Sequence, residues 1–226
     1  LRRLAAGHAL LAQFNEARQA VEQAKLLHRN IEDEQGFAAD LRVLGTIQLA
    51  EQDYVAARDL LGQALEIFQH AKNKPEQLVT WLELAFALEG LGYIPRACHA
   101  YGQVLELTNE LNTPLCAIDA GAGQARCLLV NGKAEEAVQA IKQCLERLDE
   151  PLPGQTLRHP VRFYLTAHQI LRATGDAAQA DKLLQTGQTV IEHAAAGLSE
   201  SQKTAFLEQI PEIRDLLGKA ATRQTS

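Results

Sequence analysis

Between Trp81 and Leu107 the apolar positions recur at intervals of three and four, the spacing that gathers side chains on one face of an α-helix. Trp81, Leu84, Ala85 and Leu88 form the stripe of a first helix. Gly92 then supplies a turn, because a residue without Cβ accepts positive φ. Pro95 stands where a second helix begins, a place at which its missing N–H costs nothing. That second helix carries Ala97, Tyr101 and Val104 on its own stripe. Small Ala85 and Ala97 alternate with large Trp81 and Tyr101. Two helices approach closely only where small side chains meet and large ones fill the space beside them. The stretch therefore reads as a helical hairpin.

The hairpin is repeated along the chain. Ala97 has counterparts at Ala17, Ala57 and Ala137, forty residues apart each time, and Ala85 has counterparts at Ala5, Gly45 and Ala125. Tyr101 matches Val21, Leu61 and Ile141, and Val104 matches Ala24, Ala64 and Cys144. A fifth copy is displaced by three residues, with Ala180, Leu184 and Gly175 in the corresponding places. The displacement falls in Leu148–His159, the one Pro- and Gly-rich loop. A fixed period with small and large residues in the same places marks a stack of helix pairs.

The copies span about residues 1–32, 33–73, 74–112, 113–149 and 157–196, each a helix A followed by a helix B. Asp33 and Asp53 are placed to cap the two helices of the second copy, the latter running to about Lys72. Pro75 and Pro160 open helices A of the third and fifth copies, and Thr113 with Pro114 makes a cap and first-turn pair for the fourth. From Ser199 the repeat breaks off. Ser199 with Gln202 starts another helix, Pro211 ends or kinks it, and Phe206, Leu207, Ile210, Ile213, Leu216 and Leu217 form an apolar stripe. Residues 197–221 are expected to cap the exposed face of the last pair, as terminal repeats must, and residues 222–226 to be a disordered tail. No segment alternates with period two, so strands are not expected.

Small residues early in helix A and helix B, with a bulky residue four later and a small one three beyond it, resemble the tetratricopeptide repeat. Trp81, Leu84, Ala85, Leu88, Gly92, Ala97 and Tyr101 fall at the motif's usual places. The usual period is about 34 residues, so the copies here are about one and a half helical turns longer. HEAT and armadillo repeats share the longer period, but the pairing of a small helix-A residue with a helix-B alanine favours the tetratricopeptide reading. Other departures are Gly121 and Gln124 where large apolar residues are usual, and His168 where a small one is. The resemblance implies an all-α, right-handed solenoid of about five hairpins plus a capping helix pair. The closing FLEQIPEIRDLL is similar to the end of long-helix arrays in bacterial signal-transduction ATPases and transcriptional regulators. That similarity implies a cytoplasmic segment of a larger regulator, in keeping with a chain that starts at Leu1 inside a helical pattern.

Composition removes several function classes. A net charge of −6 opposes a nucleic-acid surface, which needs a basic patch. No apolar run approaches the length of a membrane span. Cys98, Cys116, Cys127 and Cys144 form no CxxC pair and have no histidine at zinc-finger spacing, so they read as reduced thiols, with no metal and no cofactor implied. No serine or cysteine nucleophile has a base in a recognisable local motif, and an enzyme is not expected.

In the tetratricopeptide resemblance helix A lines the concave groove, and its positions outside the packing stripe contact partners. Carried onto this sequence, those positions are Arg42, Thr46, Phe86, Glu89, Asp119, Arg126, Arg162, Gln169 and Arg172. The four arginines would offer a row of planar, fork-shaped donors to carboxylates or phosphates. The ordinary alternative is solvated arginines, or an Arg126–Asp119 pair two turns apart. Where the family's carboxylate clamp needs lysine and asparagine, this chain has Arg42 and Thr46. The function implied is protein–protein interaction, with a peptide, helix or neighbouring domain in the groove. The alternative is a sensor for a small-molecule effector in a partly apolar pocket around Phe86 and the arginines. Tyr164, His168 and His159 cluster near the loop, His168 reading as a filler of space that alanine takes elsewhere.

Overall fold

In a computed structural model of the chain, residues 13–148 and 157–224 are described, with side chains through residue 220. The expected first helix A, over residues 1–12, lies outside them. Every regular element among the described residues is an α-helix. The chain forms two compact units, divided between Leu111 and Asn112.

The first unit holds α1 (Phe14–Asn30), α2 (Glu34–Ala50), α3 (Tyr54–His70), α4 (Lys74–Gly90) and α5 (Ile94–Leu111). Each helix packs on the next, and α2 also touches α4, so consecutive helices A lie side by side. The second unit holds α6 (Pro114–Val130), α7 (Ala134–Leu148), α8 (Pro160–Ala173), α9 (Ala177–Ala195), α10 (Glu200–Gln209) and α11 (Pro211–Gln224). Here α6 packs on α7, α7 on α8 and α8 on α9, while α6 again touches α8.

The seams are where the small residues predict them. Ala17, Ala57, Ala97, Ala137 and Ala180 are all fully buried. At Gly45 a Cβ would come within 2.6 Å of Leu61, so the small helix-A position of the second copy faces the bulky helix-B position directly. His168 takes the corresponding place in the fifth copy. It is buried, and its Nδ1 lies 3.1 Å from the carbonyl oxygen of Ala180. Since a carbonyl only accepts, Nδ1 carries the proton.

The turns share one construction. Glu32, Gln52, Lys72, Gly92, Asn112 and Gly132 have positive φ and stand twenty residues apart, one per half-repeat. Gly175 does the same after the displaced loop. Beyond Glu32, the Asp33 N–H donates to the His28 carbonyl at 2.9 Å and the Glu32 N–H to that of Arg29, the paired bonds that close a helix with a left-handed residue. Equivalent bonds run from Asp53 to Gln48, Asn73 to Phe68, Tyr93 to Leu88 and Asp176 to Leu171. In four turns the next residue caps the following helix: Asp33, Asp53, Asn73 and Asp176 accept from the N–H of Gly36, Ala56, Glu76 and Gln179.

One cap and three boundaries differ from the sequence reading. Thr113 sits at the cap of α6 but its side chain makes no capping bond; Pro114 has already removed one N–H needing a partner. α4 starts at Lys74, one residue before Pro75, and α3 stops at His70 because Lys72 has turned left-handed. α11 runs to Gln224, so residues 222–224, expected to be disordered, are helical; residues 225–226 lie outside the described residues. Ser199 and Gln202 form a complete capping box on α10. The cap itself covers both helices of the last pair, since Ile213, Leu216 and Ala220 of α11 pack with Leu165 of α8 and Leu184 and Ile191 of α9.

Candidate functional site

The helix-A residues divide between the two units. In the first, the guanidinium of Arg42 is held by the next helix A. Its Nη1 donates to both Glu83 oxygens at 3.1 and 3.3 Å, and its Nε to Glu76 at 3.2 Å. Burial disfavours the charge, yet the Glu83 and Glu76 carboxylates outweigh it and hold Arg42 more firmly charged than usual. Thr46 donates its hydroxyl back to the Arg42 carbonyl. Phe86 is buried, its ring 6.2 Å from that of Tyr101, and the Tyr101 hydroxyl donates to Glu89 at 2.5 Å. Phe86 and Glu89 therefore belong to the α4–α5 contact, contrary to their expected place outside the packing stripe.

The second unit gathers more. Asp119, on α6, is only 4% exposed and accepts the backbone N–H of Arg158 at 3.2 Å, with the His159 N–H bonding it as well. It thereby fastens the end of the displaced loop just before α8, whose cap residue His159 makes no side-chain capping bond. Burial pushes the Asp119 carboxyl up to about 6, against those two bonds and the charges of Arg158 and Arg126. Burial, then the charges of Arg158, Arg162 and Arg126, take His159 down to about 3, so the ring is neutral at neutral pH. Three guanidiniums thus act on one neutral imidazole, and two of them, Arg158 and Arg126, on the neighbouring carboxyl as well.

Arg126, Arg162 and Arg172 each have a partner on another helix of the unit. Arg126 donates to the Thr166 hydroxyl on α8 at 2.7 Å. Arg162 donates to Glu212 on α11 at 3.0 Å, with the two side chains 25% and 34% exposed. Arg172 turns toward helix B and pairs with Asp181 on α9 at 3.4 Å, which takes it away from the other arginines. Gln169 is exposed. Neither the row of donors offered to a partner nor the alternative of solvated arginines describes the four arginines fully: they make helix-to-helix ties. Asp119, Arg126 and Arg162 come together, and Arg172 does not.

Arg158, Thr166 and Glu212 were not among the sequence candidates. Thr166 stands forty residues after Arg126, as Glu83 stands forty-one after Arg42, so the period itself carried that signal. Arg158, in the loop that displaces the fifth copy, and Glu212, in the tail, follow no forty-residue spacing and gave none. Cys144 is pushed up to about 11 by burial, and Cys116 is raised by burial and by Asp119, which makes them poor nucleophiles. Among the described residues no group of three or more His, Cys, Asp or Glu is placed to hold a metal ion. No described helix is long and apolar enough to cross a membrane.

No protein-family model and no curated protein matches the chain. Solved structures do. The nearly identical TPR-like repeats of a kinesin light chain candidate from Podosopora anserina superpose with a TM-score of 0.61 at 20% identity, over 85% of this chain and 94% of that one. The apo form of RapI gives 0.64 at 15% identity, over 93% and 78%. Aspartyl phosphate phosphatase F of Bacillus subtilis gives 0.66 at 13% identity, over 97% and 58%. The fold is that of the tetratricopeptide repeat. At these identities the similarity speaks for the fold alone. It fits the hairpins of both units, with the lengthened tetratricopeptide copies built from twenty-residue halves.

Proposed function

We propose that the chain is a protein-interaction module and that the helix-A side of its second unit, around Arg126, Arg162 and Gln169, holds a protein or peptide partner. The observation that supports this reading is the concentration of three guanidiniums, Arg126, Arg158 and Arg162, about His159, with two of them also acting on the buried Asp119 carboxyl, in a chain whose net charge is −6. Scattered surface arginines would be solvated singly; these converge from α6, α8 and the loop between helices. Planar, always-charged donors of this kind recognise carboxylates and other oxyanions by paired hydrogen bonds. The setting in a cytoplasmic bacterial regulator is part of the same proposal and rests on the closing segment.

A photo-crosslinking amino acid placed at exposed Gln169 on α8, and separately at exposed Gln139 on α7, tests the surface in the native host. A partner adduct from position 169 and not from 139 is the expected result, and Arg162→Ala should reduce it. Adducts from position 139 alone would move the binding surface to helix B.

A further inference from the structure

The second unit carries a sample of the chemistry its arginines accept. Glu212 is the second residue of α11, a helix outside the repeats, and it reaches Arg162 near the start of α8. Its helix does not depend on that ion pair for its place. Ile213, Leu216 and Ala220 are buried against α8 and α9, and Leu216 lies so close to Gly187 that a Cβ there would come within 2.6 Å. The chain enters α11 through Ile210 in an extended conformation, and α10 before it buries no residue fully. The Glu212 carboxylate is thus carried to Arg162 by a hydrophobic anchor, and remains about one-third exposed. By contrast, the carboxylate facing Arg42 in the first unit, Glu83, is 3% exposed and lies on the adjacent helix A.

We infer that Glu212 is a built-in placeholder, and that the partner is an acidic peptide segment whose carboxylate takes its position on Arg162. Arg126 and Arg158 provide further positive charge beside it. This rests on the proposed helix-A surface and adds to it the chemistry of the partner and the group that the partner displaces. An exchange of one carboxylate for another leaves the count of ion pairs unchanged. The net gain must come from the remaining guanidiniums, so a segment with several acidic residues binds and a single carboxylate does not. Because the competing pair is partly exposed, its removal has a modest effect.

The test is fluorescence anisotropy of a labelled oligoglutamate peptide at low ionic strength, where such contacts are least screened. Four proteins are compared: the unaltered chain, Glu212→Gln, Arg162→Gln and the double variant, with thermal melts to show that each is folded. Glu212→Gln should bind roughly two- to fivefold more tightly than the unaltered chain. Arg162→Gln should bind more weakly, and in its background Glu212→Gln should add only what removing one repelling charge from the surface adds. Free glutamate should not compete. If Arg162→Gln weakens binding but Glu212→Gln does not strengthen it, the placeholder is wrong and the surface stands. If Glu212→Gln strengthens binding equally with and without Arg162, the carboxylate acts only through general repulsion and the exchange is refuted. If none of the four binds oligoglutamate, the acidic partner and its placeholder are refuted, while crosslinking at position 169 still decides the surface.

Discussion

Asp119→Asn changes the pH dependence of stability in a way that only the described burial predicts. The folded carboxyl titrates at about 6, the unfolded one near about 3.9. Across that window the folded chain binds more protons than the unfolded chain, so stability falls as pH rises. Two units at about 1.4 kcal/mol each make the cost of an ionised Asp119 at neutral pH about 3 kcal/mol. His159 acts with the opposite sign. Its pKa is about 3 when folded and about 6.5 when unfolded. Stability from that residue is fully present above about pH 6.5 and is lost as pH falls toward 3. Between about pH 4 and pH 6 the two slopes oppose each other and nearly cancel.

Asparagine removes one slope and leaves the other. It keeps one oxygen to accept from Arg158, so a constant loss of about 1 kcal/mol accompanies the weakened second bond. The diagnostic quantity is therefore the difference between variant and unaltered chain as a function of pH. Urea unfolding followed by helical circular dichroism, at fixed ionic strength, should show that difference moving in the variant's favour by up to about 3 kcal/mol between about pH 4 and pH 7. The variant alone should gain stability steadily over the same interval, from His159. A difference that stays constant across the interval would refute the reasoning, because a carboxyl lost only as a hydrogen-bond acceptor has no such pH signature.

The packing makes three further predictions. Ala97→Leu should cost roughly 1–3 kcal/mol by over-filling the seam between α4 and α5, and an unchanged thermal midpoint would remove Ala97 from that contact. Lys72→Gly should stabilise by about 0.5–1 kcal/mol, the relief of a left-handed side-chain-bearing residue less the extra chain entropy of glycine; a lower midpoint would contradict the turn geometry. His168→Ala restores the residue usual at that place yet should destabilise by about 2 kcal/mol, through the lost bond to the Ala180 carbonyl and the space left behind, as read by chemical denaturation.

The fold was legible because the alternation of small and large residues is itself the packing. Ala57, Ala97 and Ala137 are spaced by the period and buried by it, and the caps Asp33 and Asp53 mark helix starts by their own chemistry. The left-handed turns were half legible. Glycine announces them at Gly92, Gly132 and Gly175, whereas Glu32, Gln52 and Lys72 carry no such signal and are held there by the helix-closing bonds around them. The site was harder. Projecting a motif onto helix A says which positions leave the packing stripe of one hairpin, but α2 touches α4 and α6 touches α8. Residues one period apart therefore meet across neighbouring helices A, and that contact absorbs Arg42 into Glu83 and Arg126 into Thr166.

The same geometry separates the arginines by what can replace their partners. Arg42 is matched by a carboxylate that the repeat buries, 3% exposed on the adjacent helix A, where no incoming group can easily take its place, and breaking a buried pair of this kind costs about 3–5 kcal/mol. Arg162 is matched by a carboxylate from α11, outside the repeats, that stays partly in water. On releasing Glu212, both groups keep part of their surface in water, 25% for Arg162 and 34% for Glu212, so solvent or an incoming carboxylate can reach them. A repeat protein of this kind can hold its shape and exchange partners with the same residue type only if the two duties fall to arginines with different neighbours. Arg42 and Arg162 have such neighbours, and the distinction comes from where each partner sits in the chain.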